Sequence, residues 1–473
     1  MTAIVTSDFR VVNAENFKED VAGASVYVAI GKSDVWSLTT SATTDSTNIA
    51  GEFPPNDHID DIGEARANFM AMQKVNATDI SHVVPRYTWT SGRSYVAWDS
   101  NDGAIFDKEF YIITAEFKTY KCIVAGASGS TVQPTQTLTV PTAESDGYVW
   151  KYMYTVQVTD SEKFLTTSYM PVKTVSLAYA SDSAAQSALS EGDYAQYLNQ
   201  KASRDHANAG GIERIEVSNN GSGYSSAPTV TITGDGTGAT ATAVMTGSGS
   251  SQTVASITVT DKGTDYNVAD IVISGGGGSL ATARAVISPP NGHGTDPISE
   301  LGAFFVAINT QLSGSEGGDL TVGQDFRQIS LIKNPQNFGS DVIASATTLR
   351  ARRSLRLASG ASLTGFAVDQ VISGSTSGAK AYLIEIDTSN KVLYYYQNEK
   401  TGFGNFVSGD TITGTLPNGG SAALNTGDAF GTIANGYGSE VKRNSGQLIF
   451  LENRDPINRS SSQIEDIKLI VEF

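Results

Sequence analysis

The chain has 473 residues, a formal net charge of −17 and a single cysteine, Cys122. Such a length suggests about two to four domains and a core that needs neither disulfides nor metals, and one cysteine excludes an intrachain disulfide. The acidic balance argues against sequence-independent nucleic-acid binding, which neutralises phosphates with basic side chains, and against an anionic membrane surface.

The N-terminus, "MTAIVTSDFRVVNAENF", lacks the basic and apolar regions of a secretory signal, so synthesis and folding in a cytoplasm are expected. No window reaches the ~18 consecutive apolar residues of a membrane span. The 47 glycines, with abundant Ser and Thr, predict many short strands and tight turns. "AIGKSD" (29–34) resembles the end of a phosphate-binding loop, but Val26 stands where that motif needs glycine, so Lys32 reads as a solvated loop lysine. "DDIGEARANFMAMQKV" (60–75) places Ile62, Ala65, Phe69, Met72 and Val75 at helical steps and predicts a helix. Cys122, in the apolar run "YIITAEFKTYKCIVAG", reads as a small core residue.

"GYVWKYMYTVQV" is the clearest strand. Tyr148, Trp150, Tyr152, Tyr154 and Val156 fall on one side, with Val149, Lys151, Met153 and Thr155 on the other. An aromatic stripe at this spacing packs a core or a sheet face, with a binding groove as the alternative. Residues 182–203 give a second helical pattern.

A repeat follows. "IERIEVSNNGSGYSSAPTVTITGDGTGATATAV" lies over "VASITVTDKGTDYNVADIVISGGGGSLATARAV" without a gap, at an offset of 42 residues. Gly221 and Tyr224 match Gly263 and Tyr266, and "GGGGS" (275–279) matches the "GDGTG" hairpin. Each copy reads strand, Gly-x-x-Tyr turn, strand, Gly-rich hairpin, strand. The glycines therefore mark turns and not a phosphate cradle, which needs a helix N-terminus.

In "PPNGHGTDP" (289–297), His293 and Asp296 could meet each other or a metal, but the prolines and turn formers read better as a rigid turn re-entering a domain. "LRARRSLRL" (349–357) concentrates Arg350, Arg352, Arg353 and Arg356. The preferred reading is contact with an acidic protein surface through bidentate pairs, with a solvated or intramolecular role as the alternative and nucleic acid last. A second β module, with [VT]-I-[ST]-G at 371–374 and 411–414, suggests a small barrel or roll over 360–435. At the C-terminus, Ile467, Leu469, Val471 and Phe473 alternate with Lys468, Ile470 and Glu472 as a strand. The four histidines are unsuited by spacing to a metal motif, and no nucleophile elbow occurs, so no catalytic, cofactor-binding or metal site is expected.

Outside the two modules, seven phrases occur in one order: "TAIVTSDFR", "AIGKSDVW" (29–36), "HVVPRYTW" (82–89), "SDGYVWKYMYTV" (145–156), "DFRQISLIKNP" (325–335), "SGQLIFLENRDPI" (445–457) and "QIEDIKLIVEF" (463–473). Together they resemble the baseplate wedge subunit of large contractile-tailed phages of the T-even kind, over roughly 1–205, 289–350 and 436–473. The two β modules depart from that pattern and are similar to modules of phage structural proteins.

The resemblance implies a mainly β protein without catalytic activity: a layered β-sandwich body with a few short helices, interrupted by two small all-β inserted modules. The body occupies 1–206, 289–359 and 436–473, and the modules 207–288 and 360–435. It implies a homodimer that contacts other baseplate wedge proteins in the virion, assembled in the host cytoplasm, and takes part in the rearrangement that triggers sheath contraction. Neither nucleic acid nor membrane is expected as a partner, and no cofactor. Candidate interface and sheet-face residues are Tyr148, Trp150, Tyr152, Tyr154, Arg327, Arg350, Arg352, Arg353, Arg454 and Phe473. Arg327 and Arg454 either fix register with a neighbour through bidentate pairs or brace the monomer. The N-terminal "AIVTS" and the C-terminal strand are candidates for strand addition. The alternative function is a glycan- or receptor-binding virion protein using the inserted modules, and a wall hydrolase is a distant third.

Overall fold

The computed structural model describes residues 4–33, 54–206, 209–313, 325–338, 340–397, 400–407, 409–415, 421–423, 440–460 and 462–473. Strands take 41% of it and helices 17%, in several antiparallel sheets, so the fold is mainly β and sandwich-like with few short helices. The chain forms two compact units. One comprises Met1–Asn16, Ser81–Ala307 and Ile470–Phe473, and the other Phe17–Ile80 and Ile308–Leu469. The six-stranded sheet built by the 42-residue repeat therefore belongs to the same unit as residues 81–206.

In the first unit, a four-stranded sheet runs in the order Tyr111–Ile113, Lys118–Val124, Val149–Thr155, Thr142–Ala143. One of its faces is aromatic: Tyr95, Ile112, Tyr120, Cys122, Tyr148, Trp150 and Tyr152 form one buried cluster. Tyr154 joins a second, with Phe110, Tyr111, Met153, Leu301 and Phe304. Helices Asp182–Ala188 and Glu191–Asp205 divide the expected 182–203 helix at Ser190, whose side chain caps the second by accepting from Asp193 N.

The repeat forms a six-stranded sheet in the order Thr229–Gly234, Ala269–Ser274, Ser279–Ile287, Ile212–Ser222, Thr253–Asp261, Thr240–Thr246. Its pairing has a two-fold pattern. Thr229 opposes Ser274 and Ile232 opposes Ile271; Thr282 opposes Asn219 as Thr240 opposes Asp261; and Ile215 pairs with its own equivalent, Ile257. The outer hydroxyls follow, with Ser218–Thr282 at 2.8 Å matching Thr240–Thr260 at 2.7 Å. Each copy completes its hydrogen bonding and its core (Ile215, Tyr224, Ile257, Tyr266) only through the other.

The second unit contains a five-stranded sheet in the order Thr348–Arg350, Phe69–Lys74, Val26–Gly31, Asp325–Lys333, Gln447–Asn458. A six-stranded sheet runs Arg353–Arg356, Val392–Tyr396, Lys380–Asp387, Val371–Gly374, Thr411–Gly414, Ser421–Ala423. This second sheet starts before the expected boundary at 360. Residues 416–420 and 424–435 of the expected module, like 34–36 of "AIGKSDVW", lie outside the described residues.

Three local expectations are corrected. The helix expected over 60–75 ends at Asn68, and Phe69–Lys74 is a strand buried along its length between Val26–Gly31 and Thr348–Arg350. A strand covered on both faces loses its alternation, so helical spacing among its apolar residues is accidental. The N-terminal "AIVTS" is not a strand: Ile4 and Val5 are exposed coil ahead of a helix, Ser7–Gly23, that buries Val11, Ala14 and Val21. Lys32 is not solvated. It is buried, with its Nζ 2.8 Å from Oε1 of Glu64.

A buried charged cluster as the candidate functional site

Lys121 and Lys151 oppose each other directly across the antiparallel pair Lys118–Val124 and Val149–Thr155. Their neighbours Tyr120, Cys122, Trp150 and Tyr152 turn to the aromatic face, so alternation puts both lysines on the other face. Like charges opposite one another are destabilising, yet both side chains are buried. Each has therefore acquired partners. Lys151 Nζ donates to the Thr139 carbonyl at 2.5 Å and to Ser203 Oγ at 2.9 Å. Lys121 Nζ donates to Glu300 Oε2 at 2.9 Å, and the Trp98 ring centroid is 4.6 Å from it.

Glu300 is delivered by the segment 289–297. Gly292 and Gly294 take positive φ, and a methyl group at Gly294 would come within 2.5 Å of Lys151 Cε. Asp296 then caps the short helix Pro297–Leu301 by accepting from Ser299 N. This turn aims three backbone N–H groups at the Glu300 carboxylate: Gly294 at 2.8 Å, Thr295 at 3.0 Å and Asp296 at 3.1 Å, all to Oε1.

His293 stands in the centre of the cluster. Its Nδ1 is 3.8 Å from Glu300 Oε2 and its Nε2 3.8 Å from Glu213 Oε2, while its ring meets Trp98 edge to face at 5.0 Å. Both ring nitrogens are buried without a hydrogen-bond partner. Glu213, at the start of the repeat sheet, pairs with Lys262 at 2.8 Å. The sequence favoured a rigid turn here over a meeting of His293 with Asp296 or a metal; the turn gives Asp296 to the helix cap and sets His293 between two glutamates.

Burial dominates the protonation of this cluster. It lowers the Lys121 amine, lowers Lys151 to about 8, and holds His293 well below its ordinary value, with Lys121, Lys262, Lys151 and Arg214 adding repulsion. Chemically the arrangement offers a desolvated amine, an anchored carboxylate and an imidazole able to move a proton. Among the described residues, no group of three or more His, Cys, Asp or Glu side chains is placed to hold a metal.

The sequence-selected residues lie elsewhere. Tyr148, Trp150, Tyr152 and Tyr154 are at most 8% exposed, so the aromatic stripe fills the interior and presents no groove. Arg350 and Arg352 are also buried, contrary to the preferred reading of a partner-facing patch. Arg350 lies 4.0 Å over the Tyr394 ring, and both pair with Glu385, at 3.5 and 3.0 Å. Burial lowers Arg352 to about 10. Arg353, half-buried, donates to Gln397. Arg327 is buried and braces its own chain through the Ser33 carbonyl at 2.6 Å and Asp325 at 3.0 Å, whereas Arg454 is 38% exposed and 3.9 Å from Glu452. Phe473 N donates to the Phe304 carbonyl at 3.1 Å.

Lysine centred in "YKC" and again in "WKY", each flanked by aromatic or core residues, was the legible signal that strand charges point inward. Nothing in the sequence indicated that Glu300, nearly 180 residues away, would meet the first of them. The chain matches no protein-family model and no curated protein.

Proposed function

We propose that the chain is a non-enzymatic structural component of a phage tail baseplate wedge, assembling as a homodimer with other wedge proteins and taking part in the rearrangement that triggers sheath contraction. The observation that carries this reading is where the family-like phrases fall. "AIGKSDVW", "DFRQISLIKNP" and "SGQLIFLENRDPI" begin some 300 and then 120 residues apart. In the fold they contribute the adjacent strands Val26–Gly31, Asp325–Lys333 and Gln447–Asn458. Phrases that choose one another as hydrogen-bonded neighbours, across chain segments that hold the two β modules, behave as parts of one sheet.

Light scattering on the purified chain, alone and with the other baseplate proteins of the same virion, tests the reading. A dimer that enters a larger wedge complex is the expected result. A stable trimer that ignores those proteins would overturn it and favour a receptor-binding fibre component.

A further inference from the structure

We propose that Lys121 and Glu300 become joined by an intramolecular isopeptide bond, formed by the folded chain itself. Nζ and Oε2 are 2.9 Å apart, and the two side chains are 0% and 4% exposed. An ion pair so fully removed from water gains little, because desolvating both charges offsets much of their attraction. An amide forms only from the neutral amine and acid, which transfer of one proton along the 2.9 Å contact yields, and burial works against the ammonium form of Lys121.

The surroundings supply the remaining requirements. The N–H groups of Gly294, Thr295 and Asp296 converge on Glu300 Oε1 at 2.8–3.1 Å. When the amine adds to the Glu300 carboxyl carbon, negative charge gathers on that oxygen, where preset donors stabilise it. Oε2 is the departing atom. His293 Nδ1 lies 3.8 Å from it, and neither ring nitrogen has a hydrogen-bond partner. In the tautomer protonated at Nε2, facing Glu213, Nδ1 accepts the proton released by the adduct nitrogen and passes it to the departing hydroxyl. The Trp98 ring covers both the amine and the imidazole.

The step balances without a co-reactant. The Nζ–Cδ bond forms, the Cδ–Oε2 bond breaks, one water leaves, and one positive and one negative charge vanish together. Because Lys121 and Glu300 are 179 residues apart, the bond closes a loop containing the whole repeat sheet, and closing so long a loop restricts the unfolded chain strongly. A covalent staple of this kind suits a part that bears mechanical load.

Intact-mass measurement of the full-length wild-type protein tests the proposal, with peptide mapping of the same sample. The expected result is a chain lighter than its sequence by one water, and a branched peptide joining Lys121 to Glu300. Lys121→Met should keep the full calculated mass. A wild-type chain of full mass would overturn the proposal. So would a water loss that maps to a succinimide at an Asp-Gly step such as Asp102-Gly103, or one that persists in Lys121→Met. The wild-type map decides the matter even if the variant fails to fold.

Discussion

Tyr224 and Tyr266, equivalent residues of the two repeats, are each covered by the glycine hairpin of the other copy. A methyl group at Gly278 would come within 2.4 Å of the Tyr224 ring, and one at Gly236 within 2.4 Å of the Tyr266 ring. Both tyrosines are nearly fully buried. The repeat is thus an exchanged pair whose copies finish each other.

Gly236→Ala and Gly278→Ala should each cost about 1–3 kcal/mol, the usual penalty for overpacking a core. Urea unfolding reads this as a lower midpoint at unchanged slope. In a Tyr266→Ala background the Gly236→Ala penalty should shrink, because the atoms it strikes are gone. Undiminished cost there would place the strain elsewhere, for example against the Thr264 carbonyl, 2.6 Å from the same methyl.

The repeat sheet is held to its own unit by Arg284, whose Nη1 donates to Asp99 Oδ1 at 3.0 Å while Nη2 reaches both Asp99 and Glu216. Arg284 is 42% exposed at its side chain, which screens the pair. A double-mutant cycle of Arg284→Met with Asp99→Asn should give a coupling of about 0.5–2 kcal/mol, falling as salt is added. A coupling near zero at low salt would remove this pair as an anchor.

His293 makes stability depend on acid. The unfolded chain protonates this histidine near ~6.5, whereas in the fold burial and the surrounding cations hold it well below that. Between those values the unfolded state binds more protons, so stability is full above the unfolded value and falls as the pH drops below it. His293→Gln should lack that fall. The measurement is the difference in unfolding free energy between wild type and variant from pH 7 to pH 5. Parallel curves would refute the assignment.

Glu440 acts in the opposite direction. Burial raises it to about 7, against the lowering effects of Ser354 and Arg350. The folded state therefore binds more protons between the ordinary carboxylate value and about 7, and stability declines as pH rises through that window. Glu440→Gln keeps the neutral shape and should be more stable than wild type by roughly 1–3 kcal/mol at pH 8, with the gain vanishing near pH 4.5. Thermal melts at both pH values check this, and a variant less stable at pH 8 would mean that the charged pair with Arg350 is favourable after all.

Much of the architecture was legible in the residues. Period-two alternation in "GYVWKYMYTVQV" marked a strand that the fold contains as Val149–Thr155, because successive side chains of a strand point to opposite faces. The 42-residue offset is matched by strands at corresponding positions, with Gly221 and Gly263 both at φ 63. Phe69–Lys74 was misread because burial on both faces erased the alternation that distinguishes strand from helix. The candidate site was legible only in part. Lys121 and Lys151 could be seen in apolar strands, but their partners come from helix Pro297–Leu301, helix Glu191–Asp205 and the Thr139 carbonyl.

The sequence by itself determined the β class, the repeat and the turn glycines, since these follow from local periodicity and from backbone angles that few residues can adopt. Tertiary structure alone decided which charges are inside. Lys32, Arg350 and Arg352 occur in segments that would suit a solvated surface, and the apolar strand around Lys121 gives no sign of its partner Glu300. Whether a charge is buried depends on a counter-charge and hydrogen-bond donors arriving from distant parts of the chain, and no local pattern encodes that arrival.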